Sequence, residues 1–101
     1  MNVTLYIEVY CPETIDETSG EGVQLQRRID LPIPPFVGMK LRFTDEPTDW
    51  CTKVVGIDTE IKGLGAETTV YLEDEDLRYK TREEYLRRIE ALLENCWEEM
   101  G

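Results

Sequence analysis

The stretch LPIPPFVGMKLRF, residues 31–43, places three prolines and a glycine between two runs of alternating apolar residues. Proline lacks the backbone N–H that a sheet ladder needs, and it holds the chain in an extended path. Gly38 permits a backbone angle that other residues rarely adopt. The stretch therefore predicts the end of one strand, a rigid corner, and a next strand that begins near residue 37.

Apolar and polar residues alternate on both sides of this corner, which is the pattern of half-buried strands. In the first strand, residues 2–10, the inward set is Val3, Leu5, Ile7 and Val9. The same pattern predicts four further strands, at about residues 23–31, 37–44, 52–61 and 68–73. Arg27 is a charge on the inward register of the second strand, which predicts either a bulge there or a guanidinium that extends past the sheet edge.

The last predicted element is an amphipathic helix over about residues 82–99. Thr81 and Glu84 form a capping box, which marks a helix N-terminus. Apolar side chains then recur at spacings of three and four, namely Tyr85, Leu86, Ile89, Leu92, Leu93, Cys96, Trp97 and Met100. This stripe predicts that Cys96 is a core residue. Three acids oppose the helix dipole at its negative end: Glu94, Glu98 and Glu99.

These elements predict a single α+β domain, residues 1–101, because a chain of this length holds one core. About five antiparallel strands would form a bent sheet or a small open barrel, covered by the C-terminal amphipathic helix. The predicted core consists of Val3, Leu5, Ile7, Val9, Leu25, Ile29, Leu41, Phe43, Val55, Ile57, Val70, Leu72, Leu86, Ile89 and Leu93.

The composition argues against several kinds of catalytic site. The chain has no histidine, so it lacks the usual general base and the Cys-His and Ser-His-Asp arrangements. Cys11, Cys51 and Cys96 are far apart and form no C-x-x-C pair, which argues against a disulfide framework and a zinc site. We therefore expect no metal or cofactor. Cys11 precedes a proline at a strand end and Cys51 follows Trp50 at a turn, positions at which either thiol could be exposed and oxidisable.

The sequence also predicts a cytoplasmic protein without membrane contact. No apolar run reaches the roughly 20 residues that a membrane helix needs. The first ten residues lack the basic region and the cleavage site of a signal peptide, and they alternate like a strand.

Two acidic stretches resemble calcium loops in composition only. Residues 11–22 combine acids with proline and glycine, and residues 73–76 read EDED. An EF-hand loop needs glycine at its sixth position and glutamate at its twelfth. Counting from Asp16 or from Asp74 gives neither residue, so we expect solvated turns, the first of them a long acidic loop.

The charge distribution separates two poles along the chain. The net charge is −11, which disfavours phosphate backbones and favours a basic protein partner. Residues 23–42 hold four basic residues and one acid, so this segment carries +3 and the remainder carries −14. Opposed poles also permit association with a second copy of the chain.

Basic and aromatic side chains share the outward register of the first three strands. These candidate binding residues are Tyr6, Tyr10, Arg28, Lys40 and Arg42. Such a face can stack and neutralise single-stranded nucleic acid, or it can hold a small ligand. In the competing interpretation, Glu8 and Asp30 simply pair with these cations across the strands.

Three functions remain in view. The leading hypothesis is a non-enzymatic binding or adaptor protein that engages a basic protein partner. The second is a small-molecule or nucleic-acid binder that uses the basic and aromatic face. The third is a carboxylate-based enzyme, with Asp45 and Asp49, or Glu73 and Asp76, as the pair.

The segments LPIPPFVGMKLRF, TKVVGIDTEI and TTVYLED, in this order, resemble short uncharacterised bacterial proteins with a small SH3-like barrel. In that family a proline-led P-x-x-G segment enters the barrel. The resemblance covers about residues 31–74 and implies a fold without implying an activity.

Overall fold

The computed structural model describes residues 1–10, 22–44, 49–77 and 80–100. The predicted acidic loop lies outside these residues apart from Gly22, and so do Cys11 and Asp45. The elements in chain order are β1 (Asn2–Tyr10), β2 (Gly22–Asp30), β3 (Lys40–Phe43), β4 (Trp50–Lys62), β5 (Gly65–Leu72), β6 (Glu75–Asp76), α1 (Arg82–Glu94) and β7 (Glu98–Glu99).

The strands form one sheet in the order β3-β4-β5-β1-β2-β7, and β6 pairs with β1. The sheet curls into an open half-barrel. β1 is antiparallel to β2 but parallel to β5 and β6. The prediction of about five antiparallel strands is therefore wrong in number; its direction is correct for four strand pairs and wrong for β1–β5 and β1–β6. Alternation within a strand does not specify its neighbour, and β6 and β7, with two residues each, are too short to show a period.

The inner face of the half-barrel carries the core. The four apolar residues of β1 are buried, as their alternation predicts. Arg27 also points inward, in an unbroken β1–β2 register that pairs it with Leu5. The predicted bulge at Arg27 and the predicted extension of its side chain past the sheet edge are both absent from this register. The Arg27 guanidinium is instead accommodated inside the sheet, where it lies 5.6 Å from the centre of the Phe43 ring.

A bulge in β4 overturns part of the predicted core. The register shifts between Val54 and Gly56, so Val54 takes the buried position and Val55 is half exposed. Beyond the bulge Ile57 returns to the inner side, but it is exposed because β4 and β5 continue past the packed part of the sheet. Because of this one extra residue in β4, Val54 is buried where the alternation predicted Val55.

The helix packs on the inner face through Tyr85 and Leu92, which lie two turns apart and are both buried. Leu86 and Leu93 were predicted as core residues, but each lies one residue further round the helix and is exposed. None of the helices in the described part of the chain is long and apolar enough to cross a membrane.

The helix ends at Glu94, short of the predicted end at residue 99. Asn95 caps it, with its N–H donating to the Leu92 carbonyl, and Cys96 adopts a left-handed backbone with φ of 69°. This turn exposes Cys96, against the prediction of a core thiol. It also directs the next residues back to the sheet, where β7 pairs with β2. The crowded acids at this end fit a helix that stops early.

Aromatic side chains close the interior where β3, β4 and the helix end meet. Phe43 stacks on Trp50 with ring centres 4.5 Å apart, and Trp97 lies 5.9 Å from Phe43. Trp97 is almost fully buried. The helical stripe included Trp97, but its neighbours come from β3 and β4, which sequence spacing does not bring together.

The proline-rich stretch is a corner, since no described strand runs between Asp30 and Lys40. It carries the chain from β2 across to β3. It ends in a turn in which the Met39 N–H donates to the Phe36 carbonyl, with Gly38 at φ of 93°. Space is open around a Cβ at Gly38, so the backbone angle is what favours glycine there.

Candidate functional site

The outer face of the curled sheet presents two tyrosines on neighbouring strands. β1 and β5 run parallel with Tyr6 opposite Tyr71, and the two rings meet edge to face with centres 5.3 Å apart. Gly56 lies opposite Tyr71 on β4, so no side chain covers the ring from that strand. We call Tyr6 and Tyr71 the tyrosine pair.

Two carboxylates, Glu8 and Asp74, lie near Tyr6 of the tyrosine pair. The Tyr10 hydroxyl donates to Asp74 Oδ2 at 3.2 Å, which holds this carboxylate beside β1. Burial is the largest cause that raises the pKa of Tyr6 above its ordinary value, followed by the negative charges of Glu8 and Asp74. The negative charges of Glu8 and Asp74 oppose ionisation of Tyr6, so this part of the face carries a negative potential that favours cations.

The structure brings together only some of the five predicted binding residues. Tyr6, Tyr10 and Arg28 lie on the same face of the adjacent strands β1 and β2. Lys40 and Arg42 lie on β3, which β4 and β5 separate from β1. Three strand spacings amount to about 14 Å, so the two cations form a separate group.

The two predicted arginines have acidic neighbours, whereas the lysine lies opposite another cation. Arg42 Nη2 lies 2.8 Å from Asp49 Oδ2, and Arg28 Nη2 lies 4.0 Å from Glu67 Oε1, with both pairs largely exposed. Lys40 lies opposite Lys53 of β4. Pairing of the arginines across strands was expected, but with Glu8 and Asp30 as partners rather than Asp49 and Glu67.

Sequence reasoning missed Tyr71, which completes the site. The alternation of residues 68–72 does place Tyr71 on the outer side, because Val70 and Leu72 point inward. What it does not reveal is the parallel pairing of β1 with β5, which sets Tyr71 beside Tyr6. Non-local pairings of this kind leave no mark in either segment.

Two open grooves flank the sheet. A groove of about 600 Å³ lies where β1 and β5 begin and β2 ends, lined by residues that include Thr4, Arg28 and Glu67. A second, of about 330 Å³, is lined by residues that include Trp50 and Arg88. Neither groove gathers a convergent set of polar groups around an enclosed volume, which is the usual form of a small-molecule site.

The side chains considered for metal and catalytic chemistry are only partly among the residues that the structure describes. They include no group of three or more Cys, Asp or Glu side chains placed to hold a metal ion. Cys51 and Cys96 are exposed, unbridged thiols. Of the predicted carboxylate pairs, one includes Asp45, which is outside the described residues. The other is Glu73 and Asp76, of which Glu73 lines the second groove.

No protein-family model, curated protein or solved structure matches this chain. Any function must therefore be inferred from the chemistry of the surface.

Proposed function

We propose that this protein is a non-enzymatic binding module whose acidic outer sheet face binds a basic segment of a protein partner. The observation that carries the proposal is the tyrosine pair in its negative surroundings. Glu8 and Asp74, whose negative charges add to burial in raising the pKa of Tyr6, make this a place where a cation is favoured. The net charge of −11 adds a long-range field of the same sign.

An arginine or lysine side chain suits this surface in two ways. A cation over an aromatic ring gains roughly 0.5–1 kcal/mol at an exposed site. The same cation can contact the carboxylates beside the ring, and charge-assisted hydrogen bonds are stronger than neutral ones. Glu8 and Asp74 provide those acceptors next to Tyr6.

The alternative ligands fit this surface less well. A nucleic-acid phosphate would be repelled by the carboxylates around the tyrosine pair and by the net charge. The cations Lys40 and Arg42 are too distant to offset this repulsion, because they lie three strands away on β3. The resemblance to SH3-like barrels implies a fold only, so it favours none of these ligands.

Titration with an arginine-rich peptide tests the proposal. A bound cation stabilises the tyrosinate, so the peptide should lower the pKa of Tyr6, measured by ultraviolet titration against a Tyr6→Phe variant that removes the signal. Binding should also weaken as salt is added from about 0.05 to 0.5 M, because salt screens exposed charges. A glutamate-rich peptide of the same length should not bind.

Two variants localise the effect. Tyr71→Leu and Asp74→Asn should each weaken binding about threefold or more, since each removes one contact of modest energy. Glu83→Gln on the helix is the matched control, because it removes one exposed carboxylate away from the outer face. Binding that ignores salt, or that Glu83→Gln weakens as much as Asp74→Asn does, would contradict the proposal.

A further inference from the structure

The outer half of β4 has an open edge. β3 covers β4 from Trp50 to Lys53, and Gly38 and Met39 make backbone hydrogen bonds to Val54. From Gly56 to Lys62, the described part of the chain pairs β4 with β5 only. A row of unpaired main-chain groups on such an edge is a template for an added strand.

The hairpin geometry identifies which groups face outward. Lys62 and Gly65 flank a two-residue turn, in which Gly63 has φ of 58°. Residues that flank such a turn form a hydrogen-bonded pair, and the pairs then alternate along the hairpin. Ile57, Thr59 and Ile61 occupy the alternate positions, so their N–H and C=O groups point away from β5.

Side chains on this edge differ between the two faces of the sheet. Ile57 and Ile61 point to the inner side and are exposed, Ile61 by 77%. Asp58 and Glu60 point to the outer side, the side of the tyrosine pair, and are also exposed. Lys62 Nζ lies 3.6 Å from Glu60 Oε1 and offsets part of that charge.

We propose that the segment Gly56–Lys62 binds an extended peptide in which basic and apolar residues alternate. The peptide would add to the sheet as a strand, with its basic side chains against Asp58 and its apolar side chains against Ile57 and Ile61. This inference rests on the proposed function, because it specifies the form of the basic segment. Main-chain bonds supply affinity in this mode, and alternate side chains supply specificity.

Pairing of this edge with a second copy, centred on Thr59, brings like charges together. Twofold antiparallel pairing centred on Thr59 would place Asp58 opposite Glu60 of the other copy. By symmetry it would also place Glu60 opposite Asp58 of the other copy. Like charges directly opposite each other on paired strands are destabilising. A strand with basic residues at those positions replaces both repulsions with attractions.

The test uses two synthetic peptides of about eight residues, one that alternates arginine and valine and one that holds them in separate blocks. The alternating peptide should bind at least about tenfold more tightly. It should also slow amide hydrogen exchange at Ile57, Thr59 and Ile61, followed by NMR on the unmodified protein. Because the exchange measurement uses the unmodified protein, it tests the edge inference even if a variant fails to fold.

Thr59→Pro removes one outward N–H without removing a bond to β5, and proline is tolerated on such edges. It should weaken binding of the alternating peptide about tenfold. Thr59→Val is the matched control, because both variants lose the hydroxyl contact with Thr68 but valine keeps the N–H. Valine should leave binding within about twofold of the parent.

The outcomes separate this inference from the proposed function. Equal binding of both peptides without slowed exchange on β4 would overturn the edge inference and leave the proposed function standing. Failure of both peptides to bind at low salt would overturn the proposed function itself. Exchange that slows with protein concentration alone would assign the edge to a second copy and overturn the basic peptide as its occupant.

Discussion

Leu92 and Leu93 are neighbours in α1, yet their side chains lie in opposite environments. Leu92 has no exposed surface, whereas Leu93 is 43% exposed. Consecutive residues on a helix point about 100° apart, so a boundary between core and solvent can fall between them. The apolar stripe of this helix is wide enough in sequence to include both residues, and only the packing distinguishes them.

Replacing each of these two leucines with alanine measures how much its burial contributes to stability. Leu92→Ala should lower the free energy of unfolding by about 2–5 kcal/mol, because it removes buried methyl groups and leaves a cavity. Leu93→Ala should lower it by less than about 1 kcal/mol, since the site is already solvated and alanine favours the helix. Urea denaturation of the two variants and the parent gives both values.

The denaturant slope serves as the control in this experiment. An unchanged slope shows that each variant unfolds in the same two-state manner as the parent, so the free energies can be compared. Equal losses for the two variants, or a larger loss for Leu93→Ala, would contradict the helix orientation described above.

At the scale of elements, Arg88 joins α1 to the sheet. Its guanidinium donates to both carboxylate oxygens of Glu75 in β6, at 2.7 and 3.1 Å. It also lies 4.6 Å from the ring centre of Trp50 in β4. Both side chains of the ion pair are mostly buried, so solvent screens the pair less than it screens a surface pair.

Arg88→Lys should therefore destabilise the protein although it keeps the charge. Lysine lacks the planar fork that binds a carboxylate through two nitrogens and stacks on a ring. We expect a loss of about 1–2 kcal/mol. Arg87→Lys is the matched control, because Arg87 makes one exposed contact to Glu83, four residues before it in the same helix. Such a pair contributes about 0.3–0.5 kcal/mol, much of which lysine retains.

Thermal and urea denaturation of both variants provide the measurement. A loss for Arg88→Lys no larger than for Arg87→Lys would show that the fork and the stacked ring add nothing to the charge. The helix would then be held to the sheet by its apolar residues alone.

The elements differ in how far the sequence predicts them. The alternation of β1 predicts its buried set, because a strand with one buried face repeats every second residue. The capping box predicts the start of α1, where Thr81 Oγ1 accepts from the Glu84 N–H. The bulge at Val55 and the two-residue strands β6 and β7 arise from long-range pairing, which local patterns do not record.

The residues of the candidate site also differ in how far the sequence predicts them. Outward alternation finds Tyr6 and Tyr10, since each of these side chains is fixed by its own strand. The separation of Lys40 and Arg42 from β1, and the arrival of Tyr71 beside Tyr6, depend on strand order. The sequence predicted a basic and aromatic face. Because of the strand order, the centre of that face instead holds Tyr6 and Tyr71 with the carboxylates Glu8 and Asp74.

For the whole molecule, the net charge of −11 on 101 residues affects stability. Like charges repel more strongly in the compact state than in the expanded one. The exposed arginine pairs, Arg28 with Glu67 and Arg42 with Asp49, offset little of this repulsion. The folded protein should therefore be under net electrostatic strain at low ionic strength.

Added salt should relieve that strain and raise the melting temperature. Sodium chloride at about 0.15 M shortens the screening length to about 8 Å, which weakens repulsion between distant carboxylates. A gain of about 1 kcal/mol corresponds to roughly 4–8 °C in a domain of this size. The measurement is thermal unfolding followed by circular dichroism in low-salt buffer and at several chloride concentrations.

A double variant, Glu94→Gln with Glu99→Gln, is the companion to the salt series. Both residues are exposed, and Glu94 also lies at the unfavourable end of the helix dipole. The variant should melt at a higher temperature than the parent in low salt, and it should gain less from added chloride. A melting temperature that falls with salt would mean that short-range pairs such as Arg88 with Glu75 outweigh the repulsion. In that case the acidic surface would not lower the free energy of unfolding, and its charge would serve binding or solubility alone.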